Sequence, residues 1–376
     1  MYQSKSKYNV LFLLVFITFG ALLGFLGSSY VKNTNFSLSA TSAYLVCILF
    51  ICSFICMVIH ETGHLVMGLL TGYDFVSIRF ASFVIVRENS RLSLRRYKML
   101  GTGGQCLMTY KSTGNLNDIP YFWYHFGGVF FNLLTAIICI PILIVSQNTF
   151  VTLGFITLAG ISFIFALMNL IPNSNAIVRN DGSNLLLMRK DPAFKTAIYK
   201  SLAISALLHS GTRLTDIPDE LLYPTEEEKL SKMGDFFMAL DGDIALHSYD
   251  FETAREKYRL VAENKEASGL YQRECKCEMV FCMIMTGSPK DEIDCAFDSG
   301  LRQYIKTMSG FSISKIRFLY AYYIGVEKDT SKAEKVYETA VKMQKKYPIK
   351  GEYIFEIELI EYIKRLFSPK ESHTLS

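Results

Sequence analysis

His60, Glu61 and His64 stand together in the run HETGH, within the stretch Leu45 to Tyr73, LVCILFICSFICMVIHETGHLVMGLLTGY. Residues four apart in an α-helix share a face, so the two imidazoles can converge on one ion. Glu61, beside the first of them, can then reach a water held by that ion. Two imidazoles and a general base in the pattern HExxH make the arrangement of a hydrolytic zinc site. In a soluble helix so short a pattern also arises by chance. Here it interrupts an apolar, otherwise uncharged stretch long enough to cross a bilayer. Ionisable residues in that setting are costly and mark function.

A third ligand is sought on the same side of the membrane. After the apolar run Phe150 to Ile171 the chain reads NLIPNSNAIVRNDGSNLL, from Asn169 to Leu186. Pro172 ends the helix, and Asp181-Gly182 follows in the polar stretch beyond it. An Asp before Gly also serves as an ordinary turn residue. Its emergence on the side where His64 lies favours the ligand reading. Two His and one carboxylate, with a fourth position open to water, form a catalytic zinc set.

The elements that must place these groups are four spans, at about 10–27, 43–72, 121–145 and 150–171. Lys5 and Lys7 precede the first, which reads as an uncleaved anchor with the N-terminus inside. The HETGH helix then runs inward and ends near His64. Between the second and third spans lie Arg79, Arg87, Arg91, Arg95, Arg96, Lys98 and Lys111. The positive-inside rule places this segment in the cytosol. Val76 to Val86 is rich in β-branched and aromatic residues, as short strands are, and Gly101-Thr-Gly-Gly104 interrupts the pattern. Such strands can be a plain hairpin or can offer an edge to an extended substrate. The third span carries Gly127, Gly128 and Asn132, residues that permit close helix packing and supply a polar contact. His125, near its start, reads as an interfacial residue.

Charge separates the halves. Up to Lys190 the chain has 13 Lys+Arg against 5 Asp+Glu, and the remainder has 26 against 30. A basic, apolar first half suits a membrane unit and does not call for nucleic acid. The expected fold is mainly α: a membrane bundle over 1–190 with a short cytosolic β-hairpin region, and a cytosolic helical domain over 191–376. That domain reads as amphipathic helices at about 194–209, 226–247, 251–263, 270–285, 290–308, 313–326, 331–346 and 353–367. DFETAREKYRLVAE (Asp250 to Glu263) and DTSKAEKVYETAVK (Asp329 to Lys342) resemble each other and suggest a degenerate tetratricopeptide-like array. Its Lys/Glu-rich faces are expected to be solvated. The nine cysteines read as free thiols.

With HETGH in one span and NLIP…DG after another, the segment from about Thr41 to Leu187 resembles the site-2 protease family of intramembrane zinc metalloproteases. The resemblance implies zinc held by His60, His64 and Asp181, with Glu61 as the catalytic base. It implies a substrate-holding role for Asn169, and it matches Gly128-Val-Phe-Phe-Asn132 to a Gly-Pro-x-x-Asn element, which adds Asn132 to the substrate side. Asp181 stands nine residues past Pro172, whereas family members have it about five past. No PDZ module is evident, and the helical second half could take its regulatory place. The expected function is hydrolysis of peptide bonds in transmembrane segments or signal-peptide remnants near the cytosolic face. The expected location is a bacterial plasma membrane, multi-pass, with both termini cytosolic and a cytosolic protein as partner of the helical domain. The rivals are a non-proteolytic zinc-binding membrane protein and a membrane-anchored helical-repeat adaptor.

Overall fold

A computed structural model describes residues 38–88, 91–98, 102–111, 114–172 and 179–367, with the isolated positions 18, 21 and 25. The expected first span, 10–27, lies outside them apart from those three positions. The chain is mainly helical with small antiparallel strand pairs. It divides into two compact units, Met1–Phe80 with Gly101–Pro192, and Ala81–Leu100 with Ala193–Ser376. Residues 81–100 thus group with the C-terminal half, whereas the sequence reading placed them with the membrane half.

Among the described residues of the first unit, three helices are long and apolar enough to cross a membrane: α1 (Leu38–Leu70), α2 (Phe122–Val145) and α3 (Thr149–Leu170). All three are apolar around their circumference, as helices facing lipid or a buried core are. Gly63 and Gly127 face each other where α1 crosses α2, and a Cβ on either would collide with the other's carbonyl. That contact needs glycine on both sides, as small-residue crossings do. Cys52 and Cys56 of α1 pack on Ile161 of α3, and the Cys56 thiol lies 3.1 Å from the Ser162 hydroxyl. Gly72, at φ +90°, turns the chain out of α1 into β1 (Asp74–Phe80). β1 pairs antiparallel with β4 (Gly104–Thr109), with Ile78 opposite Cys106. A short helix, α4 (Asp181–Lys190), closes the unit.

The second unit opens with the hairpin β2 (Phe83–Glu88) and β3 (Arg91–Arg96), paired from Phe83 opposite Arg96 to Glu88 opposite Arg91. Its helices follow the amphipathic pattern, with some differences. The expected helix at 226–247 is two, Glu226–Leu230 and Gly234–His247, the first opened by a Thr225–Glu228 capping box. The expected helix at 290–308 is also two, because the Asp298 carboxylate accepts from the Leu301 N–H and starts a new helix at Ser299. The two similar stretches each begin on such a cap, Asp250 to Thr253 and Asp329 to Lys332, and each buries its alanine, Ala254 and Ala333. Not every charge there is solvated as expected. Lys315, Arg317 and Glu356 are buried, with Arg317 0% exposed.

Candidate metal centre

The apolar faces of α1 and α2 bring two polar rows together. On α1, His60, Glu61 and His64 are all buried. On α2, Gly128 sits against both imidazoles, where a Cβ would fall 2.6 Å from His60 Cε1 and His64 Nε2. Only glycine leaves room there for two rings. One turn toward the helix start, the Tyr124 carbonyl lies 2.8 Å from His64 Nδ1. One turn the other way, Asn132, 0% exposed, places its side-chain amide 3.2 Å from His60 Nδ1.

Asp181 arrives by a separate route. Asn180 caps α4, its Oδ1 accepting from the Ser183 N–H at 3.1 Å. Its Nδ2 donates to the Met168 and Ile171 carbonyls at the end of α3, each at 2.7 Å. One side chain therefore satisfies orphan groups at the end of one helix and the start of the next. Gly182 completes the joint, since a Cβ there would run into the Leu170 carbonyl. The lengthened spacing after Pro172 still delivers Asp181 to the histidines.

The result is a triangle of ligand atoms. Asp181 Oδ2 lies 3.1 Å from His60 Nε2 and 3.4 Å from His64 Nε2, and the two Nε2 atoms are 3.2 Å apart. Ligand atoms around a tetrahedral zinc, each about 2.0–2.1 Å from the ion, stand about 3.3 Å from one another. The donor set fits as well. With Nδ1–H given to the Tyr124 carbonyl, neutral His64 turns a lone pair at Nε2 toward the carboxylate. Three acceptors facing one another are the chemistry of a cation site.

Glu61 is flanked by a strand rather than by the ligands alone. A Cβ on Gly104, the first residue of β4, would fall 2.7 Å from Glu61 Cγ. Buried Arg79 of β1 holds this corner, donating to the Thr102 hydroxyl at 2.7 Å and the Gly104 carbonyl at 3.2 Å. Of the residues that the resemblance gave to substrate, neither is shown free for it. Asn132 is turned to His60, and Asn169 donates back to the Phe165 carbonyl of its own helix at 3.0 Å. His125 is buried, with its Nε2 unpartnered among the described residues. Sequence reading missed Asn180, Arg79 and the Tyr124 carbonyl as parts of the site, and it gave Gly128 to helix packing and the matched element rather than to the room for two rings. The Asn-Asp-Gly-Ser run was a legible helix start; a main-chain carbonyl leaves no mark in a sequence. No family model, curated protein or solved structure matches the chain.

Proposed function

We propose that this protein is an intramembrane zinc metalloprotease of the site-2 protease type, hydrolysing peptide bonds in transmembrane segments or signal-peptide remnants. The observation that carries the reading is the triangle of His60 Nε2, His64 Nε2 and Asp181 Oδ2 at 3.1–3.4 Å, with Glu61 beside it in a helix apolar enough to span a bilayer. Bound zinc would supply Lewis acidity and lower the pKa of a coordinated water.

The chain's own groups do the rest. In this reading Glu61 would take a proton from water and return it to the leaving amine. The Tyr124 carbonyl and Asn132 orient the two imidazoles from behind, as groups outside a metal's ligands commonly do. The contact of Asn132 Nδ2 with His60 Nδ1 leaves Asn132 Oδ1 without a partner among the described residues. Turning the amide over lets Oδ1 accept His60 Nδ1–H and leaves Nε2 free for the ion. β4 pairs with β1 on one side, and no strand covers its other edge among the described residues. That edge begins beside Glu61. A substrate must unwind before cleavage, because a helix hides its carbonyls in hydrogen bonds. An extended segment could pair along β4.

The reading places both termini and the segment between α1 and α2 in the cytosol of a multi-pass membrane protein, with the C-terminal helices a tetratricopeptide-like site for a cytosolic protein. Glu61→Gln tests the chemistry. The variant should keep about one zinc per chain while cleavage of membrane substrates falls by about 10²–10⁴-fold. Membrane proteomics of wild type against this variant should show substrates accumulating and fragments disappearing. Undiminished cleavage overturns the mechanism. Zinc binding without any cleavage dependent on Glu61 would assign the site to metal binding alone.

A further inference from the structure

The β2–β3 hairpin is built inside out. Strand alternation ordinarily turns apolar residues to the core and charges to water. In β3, Leu92 and Leu94 are instead 67% and 64% exposed, while Arg95 points inward to Glu88 at 2.6 Å and to the Lys345 carbonyl at 2.9 Å. In β2, Val84 and Val86 are buried, and Phe83 on the opposite face is 53% exposed. The register aligns these outward residues: Phe83 faces Arg96, Ile85 faces Leu94 and Arg87 faces Leu92. One face of the hairpin therefore packs within its unit, and the other presents Phe83, Leu92 and Leu94 edged by arginines. Exposed apolar faces of this kind mark contact sites.

The charge and the connectivity identify what covers it. Residues 83–98 carry Arg87, Arg91, Arg95, Arg96 and Lys98 against one acid, Glu88, which Arg95 and Lys350 already occupy. Arg87 and Arg96 are exposed on the same face as Leu92 and Leu94, and the Arg96 guanidinium lies over the Phe83 ring, 5.6 Å from its centroid. A second copy of the same face would set arginines against arginines. An anionic lipid headgroup layer above an apolar acyl region matches both components. The hairpin begins 13 residues past Leu70, the last residue of α1, a tether of at most about 45 Å from the end of a span.

We propose that the outward face of the β2–β3 hairpin docks on the anionic bilayer surface, with Phe83, Leu92 and Leu94 at the acyl boundary and Arg87 and Arg96 on lipid phosphates. The second unit would thereby be held against the membrane by lipid. The inference rests on the membrane reading of the helices, not on the hydrolytic one.

Trp123 is the chain's one tryptophan and lies outside the metal site, which permits a direct test. Leu94→Trp in a Trp123→Phe background makes the hairpin face the sole emitter in the full chain. The protein is placed in nanodiscs of mixed anionic and zwitterionic lipid, with and without brominated acyl chains. Brominated lipid should quench Leu94→Trp at least about two-fold, and aqueous acrylamide should quench it at least about two-fold less than an exposed control, Leu230→Trp. Arg87→Glu with Arg96→Glu, or omission of the anionic lipid, should remove most of the bromine quenching. Acrylamide quenching equal to the control would show the face open to water. Shielding from both quenchers would show that protein covers it. Either result overturns the proposal, as would bromine quenching indifferent to anionic lipid. Leu92→Trp repeats the measurement at a second position. Neither zinc nor cleavage is read, so failure of the protease reading leaves this test intact.

Discussion

Among the described residues, one cluster of buried ionisable side chains in each unit can be compared, and the two are built on opposite principles. In the second unit, Arg317 places Nε 2.6 Å from Glu356 and another nitrogen 2.5 Å from Glu278, over the Phe281 ring. Lys315 pairs with Glu274 at 2.7 Å. Positive and negative groups meet, so the charges are paired as they stand, with Arg317 Nη1 alone left without a hydrogen-bond partner among the described residues. In the first unit, His60, His64 and Asp181 turn acceptors toward one another. Buried charge by itself therefore does not single out the proposed metal site; acceptors turned toward one another distinguish it from the paired charges of the second unit.

Replacing one member of each cluster should separate them most sharply. On the proposed reading Asp181→Ala removes one of three protein ligands, and zinc per chain, by metal analysis of the purified protein, should fall from about one toward zero. Arg317→Met should leave zinc content unchanged. It strands Glu356 and Glu278 in the core, a loss of about 3–5 kcal/mol of stability, measurable by chemical or thermal unfolding. Adding Glu356→Leu should recover part of that, because an apolar pair can replace a buried ion pair, whereas no apolar substitution should rescue the metal set. A smaller effect is expected at Asn132. Asn132→Ala should weaken zinc affinity about 10–100-fold in a chelator competition, and Asn132→Asp, which can still accept from His60, should retain most of it. If Asn132→Ala alters substrate KM and leaves zinc affinity untouched, the side chain serves the substrate instead.

A last effect is one of pH, and it is expected in the second unit. Burial, reinforced by Glu356, pushes the Glu352 carboxyl up to about 8. Burial also raises Asp243 to about 7, against the hydrogen bond from Tyr258. An acid whose pKa is higher folded than unfolded binds more protons in the native state, so stability falls as pH rises between the two values. The window runs from about pH 4, where the unfolded carboxyls ionise, to about pH 8. The unfolding midpoint of the second unit should decline across it, and Glu352→Gln should flatten the slope. A midpoint that rises over that interval would contradict the assignment.

The legible parts of the molecule were those with local signatures. HETGH in an apolar run gave the pair and the base from spacing alone, and Pro172 followed by Asp181-Gly182 pointed to the third oxygen. The helices of the second half followed from amphipathic periodicity. What stayed hidden was set by contacts between distant segments. Arg79 reads as one more cytosolic arginine until β1 and β4 pair and bury it. Arg317 reads as a solvated charge until Glu278 and Glu356, each 39 residues away, enclose it. Leu92 and Leu94 alternate as a core face would, yet they turn outward. Alternation fixes which residues share a face, not what lies against it.

Asn180 has a consequence beyond holding one ligand in place. It ties the start of α4 to the end of α3, while both imidazoles ride on α1. An ion in the triangle would thus be a cross-link between segments more than a hundred residues apart in sequence, and its binding energy would be shared with the association of the helices. At a free concentration about 100 times its Kd, such a ligand adds about 2.7 kcal/mol to the folded state. Metal scarcity would then do more than idle a catalyst: it would shorten the lifetime of the assembled bundle, so that abundance of the protein itself would track zinc supply.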